Sequence, residues 1–235
     1  MTDYLLKTIL CSGVLLLFYK IILENETFHR FKRYYLLISQ LICFIIPLIE
    51  LEMNNTSGII ANTLFARTNI VDLKDPQLSA PIQKPDSVML SGLTLIYCLI
   101  TTFLLIRLAC NLVILYRTIK QNERTTANEL NVILLKSEMM PHSFLNYVFV
   151  NKDDFNNRKI DEEILCHESV HIREKHSIDI LFIELLQVFF WFNPFIIFFR
   201  QSIKINHEFL ADAFVISQTG NVAAYQKILL SKVAL

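Results

Sequence analysis

The chain reads ILCHESVHIREKH from Ile164 to His176 and, almost at once, ILFIELLQVFFWFNPFIIFF from Ile180 to Phe199. In the first stretch His167, Glu168 and His171 form H-E-x-x-H. Residues four apart lie on one helix face, so both imidazoles can reach a single Zn²⁺. Glu168, beside them, is placed to act as general base toward a water activated by the ion. The acidic run Asp161 to Glu163 marks the start of this helix, where negative charge complements the dipole. The second stretch is as apolar as a membrane helix. A site that needs water thus adjoins a segment that favours lipid, and the fold must reconcile them.

Two histidines leave a catalytic zinc one protein ligand short. The preferred third ligand is Glu208, in INHEFLADAF, with Asp212 four residues on and placed to orient a ligating imidazole. His207 is an alternative, although it points roughly 100° around the helix from Glu208. His176 and Asp179 follow the motif. The five-residue offset from His171 turns His176 away from the metal, toward a packing, hydrogen-bonding or substrate-contact role.

A single bilayer crossing by residues 178–199 would put His167 and Glu208 on opposite sides, unable to share an ion. Asn193-Pro194 interrupts the run, because proline removes a backbone donor and disfavours helix in the residue before it. The part before the break is about 22 Å of helix, short of the roughly 30 Å hydrocarbon core. Glu184 and Gln187 would be costly facing lipid. The expected arrangement is a helix–break–helix that dips into the membrane, or packs on the spans, and returns. A buried core helix is the competing one.

Of the 235 residues, 53% are hydrophobic and 11% aromatic, and the formal net charge is zero. No global field points to nucleic acid. Four glycines and six prolines exclude a low-complexity chain. The five cysteines form no CxxC and lie in apolar runs or beside the motif, so no disulfide framework is expected. Three spans are expected, at about 4–23, 34–51 and 88–106. Lysine and arginine concentrate in 24–33 and after Arg107, which puts the amino terminus and the 52–87 loop outside. The chain then divides into a membrane domain, 1–107, and a cytoplasmic-side domain, 108–235. In the latter, Asn131–Leu135 and Tyr147–Val150 read as a short hairpin, structural or able to pair with substrate backbone. The fold class is mostly α and integral to the membrane, with a helical zincin domain.

H-E-x-x-H-x-x-x-x-H-x-x-D, an apolar helix ending W-F-N-P, then E-F-L-A-D resembles the BlaR/MecR-type integral-membrane zinc metallopeptidases. The more distant Ste24-like membrane proteases share the H-E-x-x-H and E-x-x-x-D pieces. The likeness extends to Pro141–Phe144, the three spans and Ala224–Leu230. It implies zinc on His167, His171 and Glu208, Glu168 as base and Asp212 behind a ligand. It also implies cleavage of a protein substrate, a cytosolic repressor or the chain itself, at the cytoplasmic face of a bacterial plasma membrane, within transmembrane signalling of the kind that controls antibiotic resistance. The sensor that follows a further span in those proteins is not found before Leu235, so direct β-lactam sensing by this chain is not expected. His176 and Tyr225 are candidate oxyanion stabilisers. The alternative is a non-catalytic membrane signalling subunit with a structural zinc site, against which an intact Glu168 argues. A channel or transporter lacks the expected repeat and intramembrane charge pairs.

Overall fold

The computed structural model describes residues 2–48 and 86–233. Helix α1 (Thr2–Phe18) continues through a π-helical turn to Leu23, and α2 (His29–Ile45) ends in a 3₁₀ turn at Ile46–Leu48. Helix α3 runs unbroken from Asp86 to Gln121. Four strands follow: β1 (Glu123–Ala127), β2 (Leu130–Leu135), β3 (His142–Phe144) and β4 (Tyr147–Asn151). The remaining helices are α4 (Lys152–Asn156), α5 (Glu162–Arg173), α6 (His176–Phe189), α7 (Phe195–Thr219) and α8 (Val222–Val233).

Two of the described helices are long and apolar enough to cross a bilayer, over Tyr4–Leu23 and Gly92–Gln121. Helix α2 stops short of that length. Proline at 47 falls in its terminal 3₁₀ turn, and Ser39 and Gln40 are buried along its inner face. The rest of the expected 34–51 span, and the 52–87 loop up to residue 85, lie outside the described residues. The helix that holds the third expected span continues past Arg107, as Leu108–Ile119 is expected to do: α3 carries on for a further 14 residues to Gln121 and delivers Ile119 to the sheet.

The sheet corrects the expected hairpin. Strand order is β1-β2-β4-β3, and β2 and β4 run parallel, with Val132 opposite Val148 and Leu134 opposite Val150. The chain leaves β2, passes over the neighbouring position, descends as β3 at the edge and turns back at Leu145 (φ 51°) into β4. The hairpin in this region is β1–β2 instead, closed by Asn128 and Glu129, both at positive φ as a type I′ turn requires. The central strands are covered on both faces. Val132, Leu134, Val148 and Val150 pack on Leu165 of α5, while Ile133, Leu135 and Phe149 pack on Ile119 of α3. Such strands read as continuous apolar runs.

A second core joins α1, α2, α6 and α7 through Leu16, Tyr19, Leu36, Ile183, Ile196 and Phe199. It therefore draws on both sides of a division at residue 107. Helix α5 ends at Arg173, Lys175 adopts left-handed φ (56°), and α6 departs at once. After α6 the chain turns at Asn193-Pro194. Asn193 Oδ1 accepts from the Phe195 backbone N–H at 3.1 Å, and Asn193 Nδ2 donates to Ser12 Oγ of α1 at 3.0 Å. The helix–break–helix is thus present, and α7 returns alongside α5, α6 and α2.

Candidate metal centre

Helix α5 puts His167, Glu168 and His171 on the side facing α7 and β3. Glu208, four turns into α7, meets them there. His167 Nε2 lies 3.1 Å from His171 Nε2 and 3.3 Å from a Glu208 carboxylate oxygen, and the other Glu208 oxygen is 3.8 Å from His171 Nε2. The three donor atoms fall within 4.8 Å of one another and could hold a metal ion. The donor set fits zinc: ligands about 2.1 Å from a tetrahedral ion sit roughly 3.3 Å apart. His207, the alternative ligand, faces the other way and is buried against Asp179.

Each candidate ligand nitrogen is backed by a partner on the far side of its ring. His167 Nδ1 is 2.9 Å from the Tyr225 hydroxyl and 3.1 Å from Asp212 Oδ1, and Tyr225 donates to the same carboxylate at 2.8 Å. Gly220, at φ 65°, ends α7 and turns the chain into α8, which brings Tyr225 back over Asp212. His171 Nδ1 is 2.9 Å from His176 Nδ1. For His171 Nε2 to present a lone pair, its Nδ1–H must donate to His176, which then carries its own proton on Nε2. That Nε2 is buried with no partner. Both candidate oxyanion stabilisers, His176 and Tyr225, thus stand behind the ligand rings.

Behind His176 the packing continues. Its ring stacks on His207 at 3.9 Å and 5°, His207 Nε2 contacts Asp179 Oδ2 at 2.9 Å, and Arg33 Nε donates to the same oxygen at 2.6 Å. Arg33 also donates to the Glu174 carbonyl at 2.7 Å, which caps the end of α5. Asp179 supports the site at one remove and touches none of the three ligand side chains. Arg33 carries no motif that would mark it in the sequence.

Glu168 is 8% exposed and accepts a hydrogen bond from Ser143 of β3. Burial raises its pKa above the usual carboxylate value. In the metal-free site His167 is a cation. Burial opposes the charge, but hydrogen bonds to Asp212 and Glu208 outweigh it and lift the pKa to about 9. Burial depresses His171 to about 4, and Glu208 is lowered chiefly by its hydrogen bond from His167. A proton shared between His167 and the two carboxylates therefore stands where positive charge is wanted. The cleft in front of these groups, about 280 Å³, is lined by His142, Ser143 and Phe144 of β3 and by Lys204 of α7.

An HExxH helix joined by a glutamate from a later helix, in a chain with two helices apolar enough to span a bilayer, defines a metallopeptidase-type membrane protein. The chain belongs to the BlaR1 peptidase M56 family, whose model matches residues 5–234. No individual curated protein matches it.

Proposed function

We propose that this chain is a membrane-embedded, zinc-dependent endopeptidase that cleaves a protein substrate at the cytoplasmic face, in regulated proteolysis or transmembrane signalling. The observation that carries the reading is the convergence of His167, His171 and Glu208 within 4.8 Å, with Glu168 beside them in an open cleft. His167, His171 and Glu208 would hold the zinc. When bound, zinc supplies Lewis acidity that polarises the scissile carbonyl and acidifies water. Glu168 takes the proton of the attacking water and delivers it to the leaving amine, a task suited to a carboxylate whose pKa burial has raised. Asp212 and Tyr225 hold His167 in the tautomer that frees Nε2, and His176 does so for His171. Strand β3 pairs with β4 on one side only and borders the cleft, so an extended substrate segment can add to its other edge. The substrate in this reading is a protein such as a cytosolic repressor, or the chain itself, as the resemblance to the BlaR/MecR-type peptidases implies.

The test is Glu168→Gln against Glu208→Ala in the purified full chain. Glu168→Gln should abolish peptide hydrolysis while zinc stays bound, and Glu208→Ala should release the metal. Undiminished hydrolysis in Glu168→Gln would remove the enzyme reading. Undiminished zinc content in Glu208→Ala would remove the third ligand.

A further inference from the structure

Away from the metal, a cleft of about 340 Å³ separates α3 from the α6–α7 pair. Its polar lining is Arg107 and Asn111 of α3, Glu184 and Gln187 of α6, and Arg200 of α7. Arg200 pairs with Glu184, yet its Nε is buried with no partner. Arg107 has no ion-pair or hydrogen-bond partner among the described residues. The cleft thus holds two guanidinium groups and one carboxylate, which is taken by Arg200, and Arg107 is left uncompensated on a helix whose neighbouring Phe103 and Ile106 side chains are exposed.

The depth of this charge follows from two contacts. The Asn193 turn touches Ser12, and Phe195 touches Gly13, both near the middle of the Tyr4–Leu23 span. Those 20 residues make about 30 Å of helix, one hydrocarbon thickness, so the turn lies near the midplane. Arg200 is seven residues along α7 from Asn193, roughly 10 Å back toward the metal centre. On α3, the Tyr97 hydroxyl donates to the Phe189 carbonyl at 2.9 Å, at the level of the turn. Arg107 is ten residues further along, roughly 15 Å toward the sheet. Both rulers bring the guanidinium groups close to the boundary between acyl chains and headgroups in the leaflet on the metal-centre side. A guanidinium at that depth with no protein carboxylate of its own is placed to attract an anionic headgroup.

We infer that the α3/α6/α7 cleft binds the phosphate of an anionic phospholipid, with Arg107 and the free Nε edge of Arg200 as donors. Guanidinium groups match phosphate oxygens in geometry and charge. Phe103, one turn deeper on the same face of α3 as Arg107, lies where an acyl chain would run. The neutral Asn111 side chain, one turn beyond Arg107 toward the sheet, is placed to meet the headgroup, while Gln187 lines the deeper part of the cleft. Trp191 closes the cleft toward the midplane. The site rests on the membrane placement above and is independent of the peptidase chemistry.

The experiment is native mass spectrometry of the full chain in neutral detergent, with equimolar phosphatidylglycerol and phosphatidylcholine. The wild type should retain phosphatidylglycerol preferentially, and Arg107→Gln should lower that preference about fivefold, the worth of one surface cation toward an anionic lipid. Arg107→Lys should keep most of the preference, and Lys7→Gln, far from the cleft, should leave it unchanged. Millimolar inorganic phosphate should not displace the lipid. Equal retention of both lipids, a preference untouched by Arg107→Gln, or displacement by free phosphate overturns the proposal. Retention of neither lipid overturns it together with the membrane placement on which it rests.

Discussion

Arg33 and Asp179 stand 146 residues apart in the chain, and their side chains meet at 2.6 Å. The pair is largely shielded, with side chains 12% and 10% exposed. Through His207 and His176 it ends on the back of the His171 ring, so α2 helps to aim a candidate metal ligand it never touches. Arg33→Gln should weaken zinc binding by about tenfold or more, as loss of an outer partner of a ligand typically does. Chelator competition checks this, and an affinity equal to wild type would show that the His176–His207 stack holds His171 unaided. Asp179→Ala should be worse for stability, by roughly 1–3 kcal/mol, since it leaves Arg33 with Glu174 alone and the buried His207 Nε2 without its partner. Burial opposes the charge on Asp179, but His207 and Arg33 outweigh it and hold the pKa below the ordinary carboxylate value. Its contribution is therefore present at neutral pH and is lost as pH falls through the acid range.

The cationic state of His167 in the metal-free site sets a pH dependence of opposite sign. Its pKa, about 9, lies above the ordinary value of 6.5. The stability it lends the metal-free chain is complete below the ordinary value and is lost as pH rises through about 9. Zinc must displace that proton, so apparent affinity should climb ~tenfold per pH unit up to about 9 and then level off. Chelator titrations and melting curves in EDTA over this window should move in opposite directions. A zinc affinity flat with pH would show that zinc binding displaces no tightly held proton from His167.

Asp212 and Tyr225 share the task of fixing His167, and they should not contribute equally. Asp212 offers a carboxylate to His167 Nδ1 at 3.1 Å, while Tyr225 mainly holds that carboxylate by donating to it at 2.8 Å. Asp212→Ala should reduce zinc affinity by roughly 10–100-fold, and Tyr225→Phe by several-fold. Because both changes act through one hydrogen-bonded unit, the double variant should be little worse than Asp212→Ala. Additive losses in the same titration would mean that the two side chains act separately.

The motif helix, the third donor and the break at Asn193-Pro194 were legible because each rests on local chemistry: histidines four apart, a carboxylate on a helix, proline without an N–H. The pairing of β2 with β4 was not. Both read as apolar runs, and nothing in such a run distinguishes parallel from antiparallel pairing; the short β3 at the edge decides it. The role of Arg33 was hidden for a different reason. It reads as one member of a basic flank, and only the packing of α2 against α7 brings it to Asp179. His207 reads as an alternative ligand from its neighbour's position, whereas the helix turn that aims Glu208 at the histidines aims His207 at Asp179. Asp212 and Tyr225 sit 13 residues apart on two helices, and the left-handed Gly220 between them makes their contact possible.

The turn between α6 and α7 is held by two contacts with α1 that mutation can separate. Asn193 is 2% exposed and exchanges hydrogen bonds with Ser12 while accepting from the Phe195 N–H. Asn193→Ala removes these together and leaves a helix-start N–H short of a partner, while Ser12 Oγ still donates to the Ile9 carbonyl at 2.8 Å, at a cost of roughly 1–3 kcal/mol. Ser12→Ala should cost less, because Asn193 keeps its bond to Phe195. A double-mutant cycle between the two should give a coupling of at least ~0.5 kcal/mol. Beside them, a Cβ at Gly13 would lie 3.0 Å from the tip of the Phe195 ring, so Gly13→Leu must drive the turn away from α1. Overpacking of that kind costs about 1–3 kcal/mol. Since the same turn returns Glu208 to His167 and His171, Gly13→Leu should also lower zinc occupancy, and Gly13→Leu/Phe195→Ala should recover part of it. Zinc content and unfolding midpoint in detergent, measured on the same samples, test both. Full zinc occupancy in a destabilised Gly13→Leu would uncouple the turn from the metal centre.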